Sequence, residues 1–123
     1  MRGGRWLVSW VFPSRSILCA IDSAGRVVGM NLYYFRSEDA DDVVHEAYVG
    51  VASAFQGQGI GSQLRARAHV HFAATPVQGI TSNIRADNAP SSRVAYKLGF
   101  QEIDVRRDAD GVQILLLYRD LTD

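Results

Sequence analysis

The chain has 123 residues, of which 47% are apolar and 21% are charged, and its 13 basic side chains balance 13 acidic ones. This composition predicts one compact domain and excludes a collagen, a coiled coil or a disordered chain. A net charge of zero argues against a general binder of nucleic acid or membranes, because such proteins carry a surplus of Lys and Arg. Cys19 is the only cysteine, so disulfides within the chain and cysteine-based zinc sites are excluded, which suits a reducing cytoplasm.

The N-terminal part of the chain, residues 1–15, is predicted to be a strand or a packed arm of a single domain spanning 1–123. Its apolar run from Trp6 to Phe12 imitates the core of a secretion signal, but the run is short and ends at Pro13. No span approaches the roughly 20 apolar residues that a membrane helix requires. We therefore expect a cytoplasmic protein without a membrane partner.

Apolar alternation then predicts three strands in succession, over residues 17–21, 27–35 and 43–51. A turn joins the first two strands into a hairpin, and an acidic loop at 37–42 precedes the third. In the third strand, side chains two residues apart should lie on the same face of the sheet. The residues expected to share a face are Val43, Ala47, Val49 and Val51.

The second half of the chain alternates between helix and strand signals. Apolar residues recur every fourth position from Ile60 to Phe72, which predicts a helix. A strand is predicted at 79–85, a short helix closed by Gly99 follows, and a hairpin ends the pattern. The hairpin strands are predicted at 101–107 and 112–119. The whole order predicts an α/β domain in which a mixed sheet is covered by helices.

A glycine-rich turn opens the first predicted helix, where residues 56–61 read Gln-Gly-Gln-Gly-Ile-Gly. Glycines allow positive φ angles and bring bare backbone N–H groups close to a ligand, and the helix start adds partial positive charge. The turn therefore predicts an anion site, with a ligand-free connection as the alternative. A P-loop would need a Lys followed by Ser or Thr, and a Rossmann turn would need a different glycine spacing and a later acidic residue. Neither motif fits this turn.

Two motifs in this order resemble those of the GNAT family of acyl-CoA-dependent N-acetyltransferases. Gln56, Gly59 and Gly61 match a signature of Gln or Arg, two residues, Gly, one residue, then Gly or Ala. The second motif is an Asn-Ala pair followed by Tyr and then Leu-Gly-Phe, found here at Asn88, Ala89, Tyr96, Leu98, Gly99 and Phe100. The resemblance covers about residues 16–119. It implies a mixed, mostly antiparallel sheet with splayed central strands and flanking helices.

The resemblance also implies acetyl-CoA as the cofactor, with its diphosphate on the glycine turn. It implies that the third strand splays from its parallel neighbour and offers backbone groups to the pantetheine arm and the thioester, in the manner of an oxyanion hole. The candidate cofactor-binding residues are Val49, Val51, Gln56, Gly57, Gln58, Gly59, Ile60, Gly61, Ser62, Asn88 and Ser92.

Acetyl transfer to an amine needs a proton acceptor and a proton donor. An amine with a pKa near 10.4 must lose a proton at pH 7, which costs about 4 to 5 kcal/mol. By the resemblance, His45 falls where some family members carry a general-base glutamate, and Glu46 is its neighbour on the opposite face. Because neighbours on a strand alternate, only one of these candidate bases can point into the cleft, and His45 is preferred. Tyr96 is the candidate acid for the departing thiolate. His69 and His71 lie on different helix faces, which argues against a shared metal.

The resemblance fails at the N-terminus, where only about 15 residues stand in place of a strand and two helices. A sheet face left uncovered would expose apolar surface, so we expect a homodimer. The acidic loop would attract a cationic small-molecule or peptide amine. The alternatives to an enzyme are a CoA-binding or dimerising module that has lost its acceptor site and a nucleotide-binding regulator.

Overall fold

The computed structural model describes residues 8–14 and 16–122. Over these residues the elements follow the predicted order. Residues 8–14 of the N-terminal stretch form a strand, and the prediction for residues 1–7 and 15 lies outside the described residues. The strands are β1 (Val8–Ser14), β2 (Ile17–Asp22), β3 (Val27–Tyr34), β4 (Val43–Val51), β5 (Gly79–Arg85), β6 (Gln101–Arg107) and β7 (Gln113–Asp120). The α-helices are α1 (Ile60–Ala73) and α2 (Ala89–Lys97), and a short 3₁₀ turn (Ser53–Phe55) precedes α1.

The strands form one seven-stranded sheet in the order β1-β2-β3-β4-β5-β7-β6. Neighbouring strands run antiparallel, except that β4 and β5 are parallel. A parallel pair needs a crossover connection, and α1 provides it. The mixed, mostly antiparallel α/β sheet predicted from the sequence is confirmed.

The parallel pair separates partway along its length. β4 and β5 are paired only as far as Glu46 and Ser82. Beyond that point β4 stays paired with β3 up to Val51, and β5 stays paired with β7 up to Arg85. A gap therefore opens between the two central strands, as the resemblance implied.

A β-bulge in β4 changes which side chains share a face. Leu32 pairs with Tyr48 and Tyr33 pairs with Glu46, so Ala47 is the extra residue. The prediction that the odd-numbered residues of β4 lie on one face is therefore wrong beyond the bulge. An extra residue reverses the alternation, and the sequence pattern of β4 alone does not reveal it.

Helix α1 packs against β2, β3 and β4. Its predicted apolar stripe is buried and forms the centre of the core together with β-strand residues such as Leu18. The stripe consists of Ile60, Leu64, Ala68 and Phe72. A side chain at Gly29 of β3 would lie 3.1 Å from both Ile60 and Leu64, so glycine permits this close approach. Replacing Leu64 by Ala would cost about 2 to 5 kcal/mol of stability.

The end of α2 lies on the same side of the sheet as α1. Phe100, which follows α2, has its ring centroid 5.3 Å from that of His69 in α1. At its start, α2 is capped by Asn88, whose side chain accepts a hydrogen bond from the Ser91 N–H at 3.3 Å. Within residues 8–14 and 16–122, no helix is long and apolar enough to cross a membrane.

Candidate active site

The glycine turn before α1 presents backbone donors. Gly57 and Gly59 adopt φ angles of +78° and +83°, a region that favours glycine. Gly59 is the N-cap of α1 and offers no side chain to bond the first-turn N–H groups, which have no partner within the helix. The Gln56 side chain donates to the Val51 carbonyl at 3.0 Å and so ties the turn to the end of β4. This arrangement suits an anion at the helix start.

A cleft of about 560 Å³ joins this turn to the gap between β4 and β5. Its size is within the range of small-molecule sites. Ten of the residues predicted to bind or act on ligands line it: Glu46, Val49, Val51, Gln56, Gly57, Gly59, Ile60, Gly61, Ser62 and Asn88. The glycine turn, the open edge of β4 and the start of α2 thus share one cleft.

Four predicted site residues lie outside the wall of this cleft: His45, Gln58, Ser92 and Tyr96. Ser92 is buried, and its hydroxyl donates to the Ala89 carbonyl at 3.1 Å. Tyr96 is 46% exposed on α2, two residues beyond Val94, which does line the cleft.

The expectation that His45 points into the cleft is wrong. Its Nδ1 lies 2.9 Å from the Thr81 hydroxyl on the neighbouring strand, and the Tyr34 ring meets its ring edge-on. Burial lowers the pKa of His45, and the positive charge of Arg36 lowers it further. Because neighbours on a strand alternate, Glu46 takes the position that faces the cleft.

The cleft also contains residues that are not among the predicted site residues. Arg65 and Ser82 lie near the point where β4 and β5 separate. Arg65 is only 5% exposed, although a charged helix residue is usually solvated. A signal was available, since Arg65 and His69 directly follow two buried residues of the apolar stripe and are four residues apart.

Glu46 is the centre of a buried polar cluster. Arg65 Nη2 lies 2.8 Å from Oε1, and the Ser82 hydroxyl lies 3.4 Å from the same oxygen. The Tyr33 hydroxyl donates to Oε2, and His69 Nε2 lies 3.5 Å from it. Burial alone would raise the pKa of Glu46, but contacts with His69, Arg65 and Tyr33 outweigh burial and lower it. Glu46 is therefore ionised at neutral pH.

The helix histidines have separate environments. His69 is 2% exposed within the Glu46 cluster, whereas His71 stacks on Phe12 with ring centroids 4.4 Å apart. Among residues 8–14 and 16–122, no group of three or more His, Cys, Asp or Glu side chains could hold a metal ion.

A sheet opened between its two parallel strands, with a glycine turn at the start of the crossover helix, is the fold of the GNAT acetyltransferases. A sequence profile of the acetyltransferase (GNAT) family matches residues 4–100. The chain belongs to this family, and the resemblance drawn from the two motifs is confirmed. Acetyl-CoA, the cofactor predicted from the sequence, is the acetyl donor that this family uses.

One relative is the mycothiol acetyltransferase of Actinosynnema mirum, which is 32% identical over 90 residues. These cover 72% of this chain but 29% of the relative, so the chain spans less than a third of that protein.

Solved structures agree on the fold. The ribosomal-protein-S18-alanine N-acetyltransferase of Escherichia coli superimposes with a TM-score of 0.74 at 18% identity, covering 99% of this chain and 73% of that one. A protein of Salmonella typhimurium, described as an acetyltransferase and solved with its cofactor acetyl-CoA, gives a TM-score of 0.74 at 23% identity. The match covers 87% of this chain and 65% of that one.

Proposed function

We propose that the protein is an acetyl-CoA-dependent N-acetyltransferase that acts by direct attack of a primary amine. The observation that carries this proposal is the single cleft that joins an anion-binding turn, an open strand edge and a buried carboxylate. A phosphate-rich coenzyme tail fits the turn, and an extended arm fits the strand edge. The carboxylate lies at the inner end, where β4 and β5 separate.

The residues around the cleft fit the cofactor. Backbone N–H groups at the start of α1 would bind the diphosphate, and the Ser62 hydroxyl in the first turn would support them. Past Glu46, β4 no longer pairs with β5, so its free backbone groups would bind the pantetheine arm. When bound, acetyl-CoA supplies an activated acetyl group, whose transfer forms a C–N bond, breaks a C–S bond and leaves the amine proton on sulfur.

Of the two candidate bases, Glu46 is the one we place beside the amine. It lines the cleft and His45 does not. A carboxylate there attracts the cationic form of the amine and lowers the energy of positive charge on its nitrogen. Tyr96 is the proposed proton donor to the leaving sulfur, because its phenol O–H stands on α2, two residues beyond Val94 in the cleft wall.

The acceptor is proposed to be a small-molecule or peptide amine. Within the acidic loop, Arg36 pairs with Asp39 at 2.7 Å and with Glu38 at 3.7 Å. These two ion pairs partly neutralise the negative charge of the loop. Asp41 and Asp42 make no side-chain ion pair with any residue that the structure describes. These two carboxylates give the loop the negative charge that would attract a cationic amine.

We also propose that the protein is a cytoplasmic homodimer. Tyr34 and Tyr48 are 48% and 55% exposed. The Tyr34 ring packs against His45, on the face of the sheet turned away from α1. Large aromatic side chains on an exposed sheet face favour association. A monomer by light scattering at micromolar concentration would contradict this part of the proposal.

Thermal unfolding with acetyl-CoA, CoA and ATP, followed by a thiol-release assay with a panel of amines, tests the function. The proposal predicts stabilisation by both coenzyme forms, no stabilisation by ATP, and thiol release with at least one amine. Stabilisation without thiol release would favour a coenzyme-binding module instead. Stabilisation by ATP alone would favour a nucleotide-binding regulator.

A further inference from the structure

We propose that Glu46 acts as a fixed negative charge rather than as a proton acceptor, and that Arg65 and His69 are positioning residues that hold it in that state. The charge state of Glu46 follows from its contacts alone. Its action on an amine rests on the proposed acetyl transfer.

The four polar groups that the structure describes around the Glu46 carboxylate all carry N–H or O–H protons. Oε1 faces Arg65 of α1 and the Ser82 hydroxyl of β5. Oε2 accepts from the Tyr33 hydroxyl of β3 and faces His69 of α1. Burial and the negative charge of Glu46 raise the pKa of Tyr33, so this phenol keeps its proton and remains a donor.

The chemistry of Arg119 decides the tautomer of His69. Nη1 of Arg119 in β7 lies 2.8 Å from His69 Nδ1. A guanidinium has no acceptor atom, so Nδ1 must accept and the ring proton must be on Nε2. Nε2 is the nitrogen that lies 3.5 Å from Glu46 Oε2. His69 is therefore a neutral ring that turns its N–H toward Glu46, and it has no free nitrogen with which to take a proton from it.

Protonating Glu46 would leave the Arg65 guanidinium, which is 5% exposed and has its Nη2 2.8 Å from Oε1, without its counter-charge. Breaking a buried ion pair by removing one charge is strongly destabilising. Glu46 therefore takes no proton during the reaction. The cationic form of the amine loses its first proton to water before it attacks. Glu46 then lowers the energy of positive charge on the nitrogen as the C–N bond forms and the C–S bond breaks. The leaving sulfur takes the proton of Tyr96, and the second amine proton replaces it there without resting on Glu46.

The charge state can be measured without cofactor, because the chain contains only three glutamates. In ¹³C NMR of glutamate-labelled protein, Glu38 and Glu102, both exposed, serve as internal controls. The proposal predicts that Glu46 stays ionised at pH values below the ordinary glutamate pKa of about 4.3. Titration of Glu46 at or above the pH of the controls would overturn it.

Substitutions at two arginines of α1 separate positioning from general structure. Arg65→Met should raise the Glu46 titration midpoint by at least about one pH unit, because a charge contact at 2.8 Å is lost. Arg65→Lys should restore most of the low midpoint. The control, Arg67→Met, removes an arginine that instead packs over the Trp10 ring, and should leave Glu46 unchanged. An unchanged midpoint in Arg65→Met would contradict the role of Arg65.

Histidine ¹⁵N spectra of the unmodified protein provide a test that no folding defect can obscure. They should show His69 as the neutral Nε2–H tautomer at pH 7. An Nδ1–H tautomer or a charged ring would overturn the arrangement. These spectra need no acetyl-CoA, so their failure would leave the proposed acetyl transfer intact. Conversely, a protein that binds no acetyl-CoA would overturn the function and leave the charge state of Glu46 standing.

Discussion

The glycine turn and the Glu46 cluster occupy the same cleft but are built differently. The turn consists of consecutive residues and works through backbone N–H groups, so its chemistry depends on conformation more than on side chains. The Glu46 cluster gathers single side chains from β3, β4, β5 and α1, supported by Arg119 of β7. The contrast teaches that a local sequence motif can indicate where a coenzyme binds, whereas the reaction chemistry depends on residues that only the fold brings together.

The largest expected effect comes from the turn. Gly59→Asp should raise the dissociation constant of acetyl-CoA by about 100-fold or more, because it places negative charge and a side chain at a φ of +83° beside the helix start. Gly111→Asp is the matched control, since Gly111 has a φ of +79° and open space around its Cβ, but lies in the β6–β7 turn. Calorimetric titration measures both. Equal affinities in the two variants would remove the turn from the coenzyme site.

The next largest effect, on kcat, distinguishes the neighbouring β4 residues His45 and Glu46. Glu46→Gln should lower kcat on the order of 100-fold, because it removes a buried charge from the cleft. His45→Asn should change kcat by only a few fold, because His45 lies outside the cleft wall. The thiol-release assay compares them, with a pH profile for each. A larger loss in His45→Asn would reverse the assignment.

A smaller effect is expected at α2. Tyr96→Phe should lower kcat by at least about 10-fold through loss of a proton donor, and should leave the affinity for acetyl-CoA unchanged. Tyr34→Phe is the control, because Tyr34 is 48% exposed, close to the 46% of Tyr96, and lies outside the coenzyme cleft. Unaltered turnover in Tyr96→Phe would show that another group protonates the thiolate.

The smallest effect concerns pH and stability. Burial holds the pKa values of His45 and His69 below the ordinary value, and charged neighbours modify them. As pH falls through about 6.5, the unfolded chain takes up protons on these rings before the folded chain does, so stability falls with pH. The Tm should be lower at pH 5.5 than at pH 7.5. The double variant His45→Asn/His69→Asn should lose most of this difference, whereas His71→Asn should keep it.

The strands that frame the cleft are predicted accurately from the sequence. The bounds of β4 and β5 agree with the predicted 43–51 and 79–85. Both contain several β-branched residues, Val in β4 and Ile and Thr in β5, and both lie between turn residues, so local pattern is sufficient. The N-terminal stretch could be predicted only as a strand or an arm, because its pairing partner β2 decides between them.

The face of each side chain in β4 could not be predicted. It depends on the bulge at Ala47, which arises where the pairing of β4 with β3 shifts between Leu32 and Tyr33. The burial of Arg65 was missed for a similar reason. A charged helix residue is usually solvated, and only the fold reveals that Glu46 compensates its charge.

A backbone amide NMR titration with acetyl-CoA tests the central claim most directly. The account predicts large shifts for the amides of Ile60, Gly61 and Ser62 and for those of β4 beyond Glu46, while the amides of β6 stay unchanged. If the amides at the start of α1 did not move while acetyl-CoA bound elsewhere, or if nothing moved at millimolar acetyl-CoA, the cleft would not be the coenzyme site.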